Sequence, residues 1–275
     1  MGNETVITSL QNPRVKALVK LRDQRGRKQA NRFIAEGRRA VDRAIAAKIE
    51  IDAIWVCAEL LGDQGTSSQP DGVEVVSVSA AVFRKIAYVR EPEGVLAVCI
   101  PPDKQLSFAM PRTGEHTLDL VAVGTEKPGN LGAMVRTADL AGCRSVIAAG
   151  TPIDRWNPNA IRASTGAVFT MPVLQMPEDL AIQTLVGQGI RVMAAVVDGE
   201  VEHSAVDYTD GPCAIVIGPE DKGLSMPWRD AVAESGGACV RIATSARSAD
   251  SLNASVAAGV LLFEAVRQRK AAGLQ

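Results

Sequence analysis

Residues 213–224, "CAIVIGPEDKGL", decide the fold: an unbroken apolar run ends at Gly218, and a polar loop carrying Glu220, Asp221 and Lys222 follows. A segment apolar at every position, rather than at alternate ones, is a strand covered on both faces, which is the mark of a parallel sheet. Runs of the same kind lie on either side: "LDLVAVG" from Leu118, "SVIAAG" from Ser145, "IRVMAAVV" from Ile190 and "ACVRIA" from Ala238. Helix-like stretches separate them. The series closes with "SLNASVAAGVLLFEAVRQRK" from Ser251, in which Leu252, Val256, Gly259, Val260, Phe263 and Val266 recur at helical spacing. Strands alternating with helices predict an α/β domain whose ligand sits beyond the carboxyl ends of the strands. The stretches 124–130 ("GTEKPGN"), 217–224 ("IGPEDKGL") and 241–253 ("RIATSARSADSLN") all fall at those ends.

The first hundred residues read as a second, smaller α/β unit. "NPRVKALVKLRD", "RRAVDRAIAAK" and "AAVFRKIA" have helical spacing, while "NRFIAEG", "IDAIWVCA", "VEVVSVS" and "GVLAVCI" read as strands. A connector rich in Pro and Lys follows, so the expected division is residues 1–106, a linker over 107–117, and 118–275. At 275 residues, 47% hydrophobic and 22% charged, the chain has the composition of a globular protein. Its apolar runs stay far short of the ~20 residues a membrane span needs, and the N-terminus lacks the pattern of a secretory leader. Five scattered cysteines read as buried thiols in a reducing cytoplasm. The net charge of −1 conceals an asymmetry, because residues 1–50 carry 12 Lys and Arg against 5 Asp and Glu. That stripe is either a footprint for nucleic acid or a solvated helical face. With only 4% aromatic residues, extensive base stacking is not expected, which leaves phosphate and shape contacts.

Asn130 suits a helix N-cap, and Arg136 projects from the side opposite the apolar positions Leu131, Met134, Val135 and Ala138. Neither the dinucleotide fingerprint nor the triphosphate loop has its glycine spacing here. Gly218 permits a close approach after a strand, and Glu220 stands at the rim of the sheet. Ser251 or Asp250 can cap the last helix, with Asn253 in its first turn. Each feature alone is as well explained by a surface turn or a helix end. His116 and His203 have neither triad partners nor metal-ligand spacing around them, so no metal is expected and chemistry falls to Arg, Glu, Ser, Asn and backbone groups.

In order, "NLGAMVRTADLAG" (130–142), "IRASTGAVFTMPV" (161–173), "IVIGPEDKGL" (215–224) and "DSLNASVAAGVLLFEAV" (250–266) resemble the SpoU/TrmH family of SPOUT methyltransferases, over roughly residues 118–267. "FIAEGRRAVDRAI" (33–45) and "GVLAVC" (94–99) resemble the ribosomal-protein-like α/β substrate-binding domain of its rRNA-modifying members. The resemblance implies an S-adenosylmethionine-dependent ribose 2′-O-methyltransferase acting on large-subunit (23S) rRNA. It further implies a deep C-terminal trefoil knot and a homodimer whose active site is shared across the interface. By the same likeness Asn130, Arg136, Glu220, Ser251 and Asn253 are catalytic. Val196, Val197, Gly199, Ile217, Gly218, Ile242, Leu252 and Ala257 would hold the cofactor. Arg14, Lys16, Lys20, Arg22, Arg25, Arg27, Lys28, Arg32, Arg38 and Arg39 would then track rRNA phosphates. The arginine either loses its proton to act as base or clamps charge beside the ribose; guanidinium is otherwise always protonated. The chain departs from the family pattern at Ala243-Thr244, where Pro-Met is usual, and at Ala254, where Val is usual. A tRNA methyltransferase and a catalytically silent RNA-binding assembly module are the alternatives. Housekeeping and self-protection against a ribosome-targeting antibiotic look alike at this level.

Overall fold

The computed structural model describes residues 6–62, 70–102, 115–150, 153–245 and 251–274. Residues 107–114 of the expected linker and 246–250 of the expected cofactor loop lie outside the described residues. The chain divides into two compact units, one of residues 1–104 with 154–170, the other of 105–153 with 171–275.

In the first unit, α1 (Pro13–Lys20) starts where the Asn12 side chain accepts the Arg14 backbone N–H and Pro13 presets the first turn. Then come α2 (Gln24–Ala30), β1 (Phe33–Glu36), α3 (Arg38–Ala46), β2 (Ile51–Val56), α4 (Ala58–Leu61), β3 (Glu74–Ser77), α5 (Ala80–Ile86) and β4 (Val95–Cys99). The sheet order is β1-β4-β2-β3, with β4 antiparallel to both neighbours and β2 parallel to β3. Val15 and Leu18 of α1 and Val82, Phe83 and Ile86 of α5 pack with Trp55 and Leu96 of the sheet in one core. The short α2 has no counterpart in the apolar pattern, since its residues QRGRKQA carry no stripe.

The chain continues with β5 (Leu118–Val123), α6 (Pro128–Leu140), β6 (Ser145–Ala149), α7 (Pro158–Ala163) and β7 (Val173–Met176). It ends with α8 (Glu178–Gly187), β8 (Arg191–Ala195), β9 (Val201–Glu202), β10 (Cys213–Ile217), α9 (Met226–Ser235), β11 (Ala238–Arg241) and α10 (Ala254–Ala271). Seven parallel strands in the order β7-β6-β5-β10-β8-β11-β9 form the sheet of the second unit. The α/β fold class expected from the apolar runs is the one observed, and β5, β6, β8, β10 and β11 coincide with those runs. The strands missed were β7, which carries Gln175, and β9, which has two residues. Helices α6 and α10 pack against each other and against strands β5, β6 and β10, while α8 and α9 cover another side with β8 and β11. Alternate strand residues Val121, Val123, Val192, Ala194, Ala214 and Val216 meet Leu185 of α8 and Trp228 of α9 in one core. Helix α10 lies on α6 and β10, although β11, the strand before it in sequence, stands next to last in the sheet.

The stretch 154–170, between β6 and β7, belongs to the first unit. Trp156 stacks on Phe33 with ring centroids 4.4 Å apart, and Phe169 lies 6.1 Å from Phe33. Arg27 anchors the same stretch through an ion pair of 2.6 Å to Asp154.

The helix read from the spacing of Leu252, Val256, Gly259, Val260, Phe263 and Val266 is α10, but that spacing does not mark its buried face. Ala254, Ala258, Leu261, Leu262, Ala265 and Arg269 are buried, while Leu252, Val256 and Phe263 are exposed. Helix α6 touches α10 at Gly259, where a Cβ would lie 3.7 Å from Thr137.

Candidate active site

The exit of β10 builds the site. Glu220 lies three residues beyond the strand, and its Oε1 accepts from Asn253 Nδ2 at 2.6 Å, from Asn130 Nδ2 at 3.1 Å and from the Ala254 backbone N–H at 3.3 Å. Its Oε2 receives Lys127 Nζ at 3.4 Å. Asn253 Nδ2 also lies 3.4 Å from Asn130 Oδ1. One carboxylate thus joins the first turn of α6, the β10 loop and the start of α10, segments far apart in sequence. The Ala254 N–H, then Lys127, hold the Glu220 carboxyl below its ordinary value, as expected for an anion at a helix N-terminus.

Two capping expectations are corrected here. Asn130 does not cap α6; the helix begins after Lys127 with Pro128 as its first residue, which places Asn130 in the first turn with its carboxamide free to reach Glu220. Asn253 is the residue that caps α10, its Oδ1 accepting from the Ser255 N–H at 3.0 Å and the Ser255 hydroxyl at 2.6 Å. Ser251, expected to cap that helix, is exposed and precedes the cap by two residues. Capping consumes Asn253 Oδ1 and turns Nδ2 toward Glu220, so the same side chain starts the helix and completes the site.

Arg136 stands on the exposed side of α6, away from buried Leu131, Met134, Val135 and Ala138. Among the described residues no hydrogen bond or ion pair joins it to Glu220, Asn130 or Asn253. Lys127 was missed by the sequence reading; its signal was its place in "GTEKPGN", at the carboxyl end of β5.

The residues expected to hold a cofactor line neighbouring strand exits. Val196 follows β8, Gly218 follows β10 and Ile242 follows β11, and these three strands are adjacent and parallel. Ile217 is buried, Val196, Ile242 and Ala257 are half-buried, and Val197 and Leu252 are exposed. The glycines also have a packing reason. A Cβ on Gly218 would come within 2.9 Å of the Gly223 backbone, and one on Gly199 within 2.6 Å of the Arg241 backbone. Both glycines let the protein fold tightly on itself. Apolar side chains and backbone groups without a phosphate cradle form a donor set that fits a neutral adenosine, so the residues present suit the expected cofactor.

The basic stripe is divided. Arg27 is 5% exposed, and besides Asp154 it donates to the carbonyls of Leu21 and Arg22; it is withdrawn from the RNA-contacting set, because a guanidinium buried against a carboxylate and two carbonyls is closed to phosphate. Arg14 pairs with Glu74, Arg32 pairs with Asp52, and Arg22 donates to the carbonyls of Lys85 and Ala87. Arg38 is half-buried at the start of α3. Lys16, Lys20, Arg25, Lys28 and Arg39 are exposed. The cysteines fit the expectation of inert thiols: Cys57, Cys99, Cys143 and Cys213 are buried, and burial pushes the Cys99 thiol up to about 12.

Residues 117–263 match the model of the SpoU rRNA Methylase family, and residues 12–97 match the MRM3-like substrate binding domain. A crystal structure of an RNA 2′-O ribose methyltransferase superposes with a TM-score of 0.84 at 34% identity, covering 97% of this chain and all of that one. The SpoU methyltransferase AviRb from Streptomyces viridochromogenes, solved in complex with the cofactor AdoMet, gives a TM-score of 0.78 at 25% identity over 94% of this chain and 100% of its own. The 23S rRNA (guanosine(2553)-2′-O)-methyltransferase of Bacillus subtilis is 26% identical over 94% of this chain and 97% of its own length. With both parts of the chain matched, and three of the four signature segments drawn together around Glu220, the protein belongs to the SpoU rRNA Methylase family.

Proposed function

We propose that this chain methylates the 2′-hydroxyl of a ribose in 23S rRNA, using S-adenosylmethionine and working as a homodimer, with residues 1–106 serving as the RNA-holding module. The Glu220 network carries the reading, because it unites Asn130, Asn253 and Lys127 beside the strand exits that would hold the cofactor. Bound by Val196, Ile217, Gly218, Ile242 and Leu252, S-adenosylmethionine supplies an electrophilic methyl group. The chain's own residues do the rest. Glu220 fixes both carboxamides so that Asn130 and Asn253 meet the ribose preorganised, and Lys127 and Arg136 place positive charge where the hydroxyl loses its proton. No helix among the described residues is long and apolar enough to cross a membrane. Transfer of tritiated methyl groups to purified 23S rRNA, with tRNA in parallel, tests the proposal; incorporation into tRNA alone, or into neither, overturns it. Primer extension at low nucleotide concentration then locates the ribose. If it lies in an antibiotic-binding centre, expression of the protein raises resistance to that drug.

The homodimer has its own support. Val256 (50% exposed) and Phe263 (47%) of α10 and Leu140 (65%) of α6 leave apolar surface on the two helices next to the site. Arg136 has no partner among the described residues at the Glu220 cluster of its own chain. A second copy seated on these helices would cover the apolar residues and bring its Arg136 to that cluster. Mixed dimers test this: co-expressed Arg136→Ala and Glu220→Ala chains, each inactive alone, regain up to about half of wild-type activity if the arginine is supplied in trans. Continued inactivity of the mixed dimer overturns the arrangement.

A further inference from the structure

Outside the catalytic cluster, the first unit holds an exposed aromatic ring fixed from three directions. Tyr88 is 38% exposed. Its hydroxyl accepts from Asn159 Nδ2 at 2.8 Å, and Asn159 Oδ1 accepts from Arg162 Nη2 at 2.9 Å. Behind it, the Glu36 carboxylate accepts the backbone N–H groups of Tyr88 at 2.7 Å and Val89 at 3.3 Å. Arg22 holds the preceding turn by donating to the carbonyls of Lys85 and Ala87. Arg162 is exposed, and so are Lys85 and Arg90 on either side of the tyrosine.

Ordering an exposed tyrosine costs conformational entropy, and the contacts that order it here leave its ring facing water. Stacking on a base would recover that cost, since an immobile ring loses no further freedom on binding. The arrangement also crosses the division between family models. Glu36 and Tyr88 lie within the match at 12–97, whereas Asn159 and Arg162 lie within the match at 117–263, yet all four belong to one compact unit.

We infer that Tyr88, Asn159 and Arg162 form a binding site for one unpaired nucleotide of the RNA substrate, with the base stacked on the Tyr88 ring and the adjoining phosphate on the Arg162 guanidinium. Asn159 is the positioning residue, holding ring and guanidinium at a fixed spacing. The site rests on the proposed action on RNA and deepens it: the substrate must present an unstacked base to this unit, as loops and bulges do and continuous duplexes do not.

The test uses full-length protein, an unstructured single-stranded RNA oligomer, and a blunt duplex of the same sequence. Tyr88→Leu should weaken oligomer binding by about 5- to 100-fold, the range expected for one lost base–ring stack. Tyr88→Phe, which keeps the ring and loses only the anchor, should fall between it and wild type. Arg162→Met should lower the slope of log affinity against log salt by about 1. Duplex binding, S-adenosylmethionine binding and the melting temperature should stay unchanged, and the KM for rRNA should rise with kcat retained. Wild-type oligomer affinity in both Tyr88→Leu and Arg162→Met overturns the site, as does loss of a bound protein instead of RNA. If oligomer binding falls as expected while wild-type protein methylates no RNA, the site stands and the proposed function fails.

Discussion

Glu220 sits on the surface, yet its Oε1 accepts three hydrogen bonds. Glu220→Gln keeps the shape but sets an amide against two asparagine amides, so methyl transfer should fall by about 10- to 100-fold with cofactor affinity retained; calorimetry and initial rates check both. The sign of the pH dependence follows from the depressed carboxyl, whose interactions are complete above its unfolded value and lost as pH falls through its folded one. In an acid titration followed by NMR, the side-chain amide signals of Asn130 and Asn253 should therefore hold through the ordinary carboxylate range and move only below it. A midpoint within or above that range contradicts the network. Arg136→Ala should reduce methyl transfer by at least ~100-fold, the range for a positioned group acting on the reacting proton or charge, and leave cofactor binding intact. Residue types at this scale were legible from sequence, but their partners were not. Glu220 and Asn253 are separated by 33 residues, and nothing local says that a capping side chain will also serve as a donor.

At the scale of elements, α10 shows what periodicity leaves open. Helical spacing gave the helix but not its buried face, which is made of Ala254, Ala258, Leu261, Leu262, Ala265 and Arg269, while Val256 and Phe263 are exposed. The exposed stripe is then available to a second copy. Val256→Asp should leave monomer stability within about 0.5 kcal/mol, as surface changes do, while sedimentation shifts from dimer to monomer and activity is lost. Leu262→Ala, on the buried face, should instead cost about 2–5 kcal/mol of stability in denaturant unfolding. The strands were more legible than the helices because their doubly covered faces demand uninterrupted apolar sequence. Strand β7 escaped notice with its half-polar "VLQM", and α2 with no apolar stripe at all.

Across the whole molecule, the stretch 154–170 leaves the parallel strands and joins the first unit. Its anchor is the Arg27–Asp154 pair, with side-chain exposures of 4% and 14%. Arg27→Met strands a largely buried carboxylate and should destabilise the first unit by about 3–5 kcal/mol, and the double change Arg27→Met with Asp154→Leu should restore much of it. A melting curve of the two variants beside wild type reads both outcomes. An arginine in a basic stripe was expected to face RNA; burial against Asp154 gives it a structural task instead, and charge counting cannot tell the two apart.

The sequence alone determined the α/β class, the parallel sheet and the strand exits that carry the site. Each follows from short-range rules: what a doubly buried strand must contain, and where glycine and polar residues break it. The polar residues there were singled out by resemblance to the family, which passed over Lys127. Only the tertiary structure decided that Glu220 joins Asn130 to Asn253, which face of α10 is buried, that Arg27 faces inward, and that Tyr88 meets Asn159. Those outcomes depend on the order of strands in the sheet and on the distance between packed backbones. Both are set by contacts between residues far apart in the chain, which no local pattern of apolar and polar residues encodes.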